Sequence, residues 1–224
     1  MLITIDSIID SQQLAVIRQA LVGAPFVDGR LSAGKAAAQV KQNKEVNPQE
    51  QIATDLAKII MGNLYHNEAF KLAALPYRVS TPIVARYTPG MHYGEHIDDP
   101  VMGTEGQRFR CDVATTVFLN EPDEYDGGVL VVRTTFGEKR VKLAAGSAVV
   151  YPASSLHQVT DVTRGTRLVA VTWIQSMVRD PAKREVLYEL GLARETLLES
   201  SAGSETCQQL DHSYTNLVRM WADV

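Results

Sequence analysis

The stretch "RYTPGMHYGEHIDDP", residues 86–100, decides how the rest of the chain is read. A β-branched run ends at Arg86-Tyr87, Pro89-Gly90 makes a turn, and His96 and Asp98 follow two residues apart. On a strand, positions i and i+2 lie on one face. An imidazole beside a carboxylate on one face is two-thirds of a metal site. Asp99 falls on the opposite face, and His92 shares the His96 face by parity, as a pocket wall or a solvated residue rather than a fourth ligand. The third ligand must come from elsewhere. Of the five histidines, His66 sits at a helix end and His212 in the last helix. His157, in "VVYPASSLHQVTDV", opens a strand and is the natural partner. Ten residues later comes Arg167, in "TRLVAVTW", where Arg167, Val169, Val171 and Trp173 share one face. An arginine among such neighbours is buried, and a buried guanidinium needs an anion.

Outward from this stretch, residues 82–175 carry eight short β-branched runs separated by turns: "PIVARY", "MHYGEH", "CDVATTVFLN", "GGVLVVRT", "KRVKL", "GSAVVYP", "HQVTDV" and "TRLVAVTWI". That spacing predicts an antiparallel sandwich or barrel. Gly127-Gly128, after "EPDEYD", reads as a turn and not as a calcium loop, whose ligand spacing is absent.

The flanks are helical. A short strand over residues 1–8 precedes a helix capped by Asp10 or Ser11, with Leu14, Ile17 and Leu21 on one face. "FVDGRLSAGKAAAQVKQNKEV" (26–46) reads as irregular. "NPQEQIATDLAKIIMGNLY" predicts a helix with Asn47 as cap, Pro48 first and Glu50 third, and "NEAFKLAAL" a shorter one. Asp180-Pro181 opens a C-terminal helical hairpin whose stripe Leu210, Tyr214, Leu217 and Trp221 is either core or a self-association face. The expected division is residues 1–178, holding the β core, and a helical extension over 179–224.

Composition narrows the function. The 224 residues are 45% hydrophobic and 21% charged, as in an ordinary globular chain, with net charge −4. There is no basic footprint for nucleic acid. No apolar run approaches a membrane span, and Asp6 and Asp10 interrupt the N-terminal one, so neither a membrane nor a leader is expected. Two distant cysteines, Cys111 and Cys207, make no disulfide framework. A reduced, cytoplasmic setting follows as the expectation.

His96-Ile97-Asp98, His157 and Arg167 ten residues on resemble the pattern of the iron(II)/2-oxoglutarate dioxygenases. "RYTPGMHYGEHIDDP" is similar to the prolyl 4-hydroxylase-like branch, and "DGRLSAGKAAAQVKQN" with the chain length resembles the bacterial PKHD-type hydroxylases. The resemblance implies a mainly β fold with flanking helices around a double-stranded β-helix (jelly roll). It implies Fe(II) on His96, Asp98 and His157, with 2-oxoglutarate and O₂ as cosubstrates and Arg167 on the distal carboxylate. Tyr87 and Tyr93 would line the cosubstrate and substrate pocket. Phe118 stands where that branch often has a tyrosine, which shifts weight to Arg167, Thr116 or Tyr87. L-Ascorbate (vitamin C) is a candidate accessory reductant. The implied reaction is hydroxylation of a small-molecule or peptidyl substrate, with a link to iron acquisition. Self-association would run through the C-terminal helices.

Two other readings stay open on the residues. A cupin-type metal enzyme would keep the ligands but have no use for a buried Arg167. A non-catalytic module sensing iron or 2-oxoglutarate would keep both. The material available to cover the site is 28–47, with Lys41 or Asn43 near the mouth, and 99–108.

Overall fold

The computed structural model describes residues 1–224. Its centre is two antiparallel sheets packed face to face. The larger has eight strands, running Ile3–Ile5, Ala148–Pro152, Val113–Phe118, Arg167–Ser176, Ile83–Tyr87, Lys44–Val46 and Phe26–Asp28, with Pro76–Val79 on the far half of Arg167–Ser176. The smaller runs Gly137–Val141, Leu130–Thr134, His157–Val159, His92–His96 and Lys41–Gln42. All eight expected runs form strands; "HQVTDV" splits into His157–Val159 and Val162–Gly165. This is the jelly-roll core.

The central strands of the larger sheet read as unbroken apolar runs because both of their faces are covered. On Val113–Phe118, Val113 and Val117 face the helices while Ala114 and Phe118 face the interior between the sheets. On Arg167–Ser176, Ala170 and Ile174 turn to the helices and Val169 to the interior. The period of two therefore points Arg167, Val171 and Trp173 inward as well. Helices α1 (Ser11–Val22), α2 (Gln51–His66) and α3 (Glu68–Ala74) cover the outer face with Ile17, Leu21, Leu56, Ile60, Leu64 and Phe70. Asp10 caps α1 by accepting from Gln13 N at 2.8 Å. Asp180 caps α4 (Pro181–Ser201), and α5 (Glu205–Trp221) folds back on it. Tyr214, Leu217 and Trp221, each partly buried, pack on Leu75, Val178 and Leu187, so this part of the C-terminal stripe turns toward the body of the protein. No helix is long and apolar enough to cross a membrane. Cys111 and Cys207 are free and buried.

Two expectations need correction. Helix α2 begins at Gln51, not at Pro48. Asn47 Oδ1 accepts from Gln49 N and Asn47 O from Glu50 N, which closes a turn with Pro48 in its second position. Proline's fixed φ suits that place as well as a helix start. The second correction concerns 26–46, which is not irregular throughout. Its strands Lys41–Gln42 and Lys44–Val46 add to the smaller and the larger sheet respectively, Lys41 opposite Tyr93 and Glu45 opposite Ala85. The chain crosses between the sheets at Asn43 and closes one open side of the jelly roll. Strands of two and three mostly polar residues are too short to carry an alternation for a sequence reading to detect.

An ion pair holds this crossing. Lys41 Nζ lies 2.6 Å from Glu45 Oε1 and 2.9 Å from Ser32 Oγ, with both side chains under 10% exposed. A buried pair is costly to break on one side, because the remaining charge has no solvent. Lys41→Met should therefore destabilise the fold by about 3–5 kcal/mol, while Lys41→Met with Glu45→Leu should recover most of that loss. Chemical denaturation of both variants checks it. Equal losses in the single and double variants would show that the pair does not hold the crossing.

Candidate active site

His96 closes the His92–His96 strand and His157 opens its neighbour, and the two are Cα partners in register. Asp98 lies just past the strand end. The ligand atoms of His96, Asp98 and His157 all fall within 4.8 Å of one another. His96 Nδ1 is 2.8 Å from Gly94 O and His157 Nδ1 is 2.9 Å from Ser155 O. Each imidazole thus donates from Nδ1 to a backbone carbonyl and turns a free Nε2 inward, the second-shell arrangement that sets a ligating histidine's tautomer. Burial, and then the neighbouring His157, holds His96 down to about 3, so it is neutral and its lone pair is available.

Asp98 is short of a counter-charge. Its side chain is 7% exposed, its nearest basic atom is His157 Nε2 at 3.8 Å, and Oδ2 is buried with no hydrogen-bond partner. Burial pushes its pKa up, which means that the carboxylate in this cavity favours a cation beside it. Two imidazoles with inward Nε2 atoms and one under-compensated carboxylate, all within 4.8 Å of one another, fit a divalent ion of the facial-triad type.

Arg167 lies in the same cavity, paired with Tyr87 across the sheet. It is 1% exposed, its Nε has no partner, and no carboxylate pairs with it. Its guanidinium sits 5.0 Å from the Tyr87 ring and 5.6 Å from the Phe118 ring. Gly128, with φ +57°, lies against it: a Cβ there would come within 2.9 Å of Arg167 Cδ. The turn read at Gly127-Gly128 is thus what leaves room for the arginine.

The cavity encloses about 720 Å³, counting its open mouth, between the two sheets. Tyr87 and Tyr93 both line it, in different ways. Tyr87 is buried beside Arg167, whereas Tyr93 stacks on His96 with ring centroids 3.5 Å apart. Thr116 lines the wall too. His92 lies outside the cavity, half-buried, with a buried Nδ1 3.0 Å from Oδ1 of the exposed Asp161, so it is not a pocket wall. Lys41, Asn43 and Glu45 of the crossing segment line the cavity, as do Asp99 and Met102. The C-terminal helices contribute nothing to it.

Some residues of the site escaped the sequence reading. Tyr151 lines the cavity edge-on to His157, 5.2 Å between centroids, and nothing in "GSAVVYP" distinguishes it from a core tyrosine. Asp99, set aside on strand parity, lies at the mouth because the strand has already ended at His96. Tyr125 packs behind Arg167 with a buried, unpartnered hydroxyl.

With this geometry in hand, comparison with known proteins is specific. Residues 82–175 match the 2OG-Fe(II) oxygenase superfamily, and residues 181–223 match the PKHD-type hydroxylase C-terminal domain. A PKHD-type hydroxylase of Thioalkalivibrio sulfidiphilus is 54% identical over the full length of both chains. One of Synechococcus elongatus is 42% identical, again covering both chains completely. Among solved structures, a Pseudomonas putida prolyl-4-hydroxylase superposes with a TM-score of 0.52 over 78% of this chain and 92% of its own, at 19% identity, a likeness of fold. On the full-length identities and the two matched segments, this chain belongs to the PKHD-type hydroxylases of the 2OG-Fe(II) oxygenase superfamily.

Proposed function

We propose that His96, Asp98 and His157 hold Fe(II), and that Arg167 holds the distal carboxylate of 2-oxoglutarate, for the hydroxylation of a small-molecule or peptidyl substrate. One observation carries this reading. The side chains of Asp98 and Arg167 are buried in a single cavity and do not pair with each other; the nearest basic atom to Asp98 is His157 Nε2 at 3.8 Å, and Arg167 has no carboxylate partner. A metal cation answers the first, and a dicarboxylate whose far end reaches Arg167 answers the second. A cupin-type enzyme leaves the arginine unexplained.

The roles follow from the chemistry of the side chains. His96 and His157 present inward Nε2 atoms and Asp98 a carboxylate, a set that would hold a divalent ion and leave positions on it open for cosubstrates. The bound metal with 2-oxoglutarate and O₂ supplies the oxidation, releasing succinate and CO₂. Arg167 offers a planar fork for two parallel hydrogen bonds, which orients the dicarboxylate along the cavity. Tyr87 and Phe118 pack around the guanidinium and keep water from it. Phe118 brings no hydroxyl, so the hydroxyls of Tyr87, Thr116 and Tyr151 on the cavity wall are the ones at hand. Tyr93 braces the His96 ring by stacking.

The substrate side is more open. Ser32, Glu45, Ile83, Asp99, Met102 and Trp173 line both the cavity and an adjoining groove of about 2280 Å³ that is open to solvent. Tyr65, Arg78 and Phe109 continue the groove. A molecule with one uncharged end in the cavity and the remainder along the groove suits this shape, whether a peptidyl side chain or a siderophore-like compound in iron acquisition. The two free cysteines suit a reducing cytoplasm, and ascorbate is the reductant we assign to keep the iron ferrous. The net charge of −4 argues against nucleic acid. A homo-oligomer contact at the C-terminal helices would use their outer faces together with the exposed parts of the partly buried Tyr214, Leu217 and Trp221.

Succinate release under air, with Fe(II) and 2-oxoglutarate, tests the reaction. His96→Ala should abolish it and remove Co(II) binding while the variant keeps the near-ultraviolet circular dichroism of a packed fold. Retained metal binding would assign the ion to other residues. Arg167→Ala should cost about 3–5 kcal/mol of 2-oxoglutarate binding, the scale of an uncompensated buried charge. That is a rise of more than about a hundredfold in half-saturation. Arg167→Lys keeps the charge but not the fork, and should fall between wild type and alanine. An unchanged half-saturation in Arg167→Ala would overturn the cosubstrate assignment.

A further inference from the structure

Beyond the three ligands, Asp98 raises a question of geometry. One carboxylate oxygen facing the metal leaves the other buried in the cavity, and Oδ2 of Asp98 has no hydrogen-bond partner. A carboxylate with a free second oxygen is able to swing and bind through both. It would then occupy a position that the cosubstrates need. The surroundings contain few donors to prevent this. His157 Nδ1 is already committed to Ser155 O, and Lys41 Nζ to Glu45 and Ser32.

Trp173 has the complementary deficit. It lines the same cavity as Asp98, at the mouth end of the inward row that begins with Arg167. Its indole Nε1 is buried and has no partner. An indole nitrogen is a donor only, so nothing but an acceptor can satisfy it. The residue is also held firmly. Trp173 N donates to Ser80 Oγ at 2.9 Å, Ser80 N donates to Trp173 O at 2.8 Å, and Ala114 is its Cα partner in the neighbouring strand. A backbone pinned on both sides keeps the indole from leaving the cavity wall.

We infer that Trp173 is a positioning residue for the metal site, whose indole N–H donates to the non-ligating oxygen of Asp98 and keeps the carboxylate bound through one oxygen only. The inference rests on the assignment of Asp98 as a ligand. It adds a residue that touches neither metal nor cosubstrate and acts through Asp98. Outer-shell donors of this kind are worth roughly 10–100-fold in metal affinity.

Two measurements test it. The first is Co(II) titration of wild type and Trp173→Phe, which keeps an aromatic ring and removes the N–H. Binding should weaken by about 10–100-fold, with the metal-free variant melting close to metal-free wild type. Wild-type affinity in Trp173→Phe would overturn the inference while leaving the ligand assignment intact. Failure of wild type itself to bind Co(II) would instead overturn the ligand assignment. The second measurement needs no variant. The chain has two tryptophans, Trp173 and Trp221, so the indole region of a ¹⁵N correlation spectrum holds two peaks. Adding Zn(II) should move the Trp173 indole proton downfield, as its hydrogen bond to Asp98 forms, and leave Trp221 in place. An unmoved or upfield-shifted Trp173 peak on saturation with Zn(II) would show that the N–H does not engage Asp98.

Discussion

A carboxylate and a guanidinium buried in one cavity would ordinarily collapse onto each other. Here Asp98 and Arg167 do not, because each is fixed to a different, rigid part of the jelly roll. Asp98 follows the end of the His92–His96 strand in the smaller sheet, and Arg167 begins a ten-residue strand at the centre of the larger one. Sheets packed through a close-fitting interior do not slide to bring two side chains together. The separation is therefore imposed by the fold, and the two unneutralised charges are the part of the structure that calls for ligands.

The remaining architecture keeps that cavity closed and correctly shaped. Pairing of His157 with His96 in register sets the two imidazoles side by side, and a slip of one residue would turn one of them to the opposite face. The helices on the outer face bury the back of the larger sheet, so its strands can be apolar on one side and carry the site on the other. The 41–46 crossing seals one flank of the jelly roll with a buried Lys41–Glu45 pair, which makes this part of the N-terminal segment a wall of the site. Its position facing Tyr93, which stacks on His96, couples the integrity of the crossing to the orientation of a metal ligand.

Much of this was legible from residue order, for identifiable reasons. The strands from Ile83 onward are short, β-branched and bounded by turn residues, and their period of two is local information. Helix caps such as Asp10 and Asp180 act within three residues and are equally local. Where the same residues serve two local structures, the reading slipped. Asn47-Pro48 begins a turn as readily as a helix, and only packing further along selected the former. The crossing strands at 41–46 carry no periodic pattern, since they exist only because two sheet edges lie on either side of them.

The sequence by itself determined the types of group in the site and their covalent spacing: His96 two residues from Asp98, His157 far downstream, and Arg167 ten residues beyond it. Spacing along one strand states which side chains share a face, and a charged residue in an apolar run states that something must neutralise it. What only the tertiary structure decided is which distant groups meet. That Tyr151 stands edge-on to His157, that Asp99 reaches the mouth, that Lys41 and Glu45 pair inside the cavity, and that Trp173 and Asp98 both end without a partner all depend on contacts between strands far apart in the chain. Those contacts are set by sheet register and by packing across the interior, and neither is encoded in any short stretch of residues.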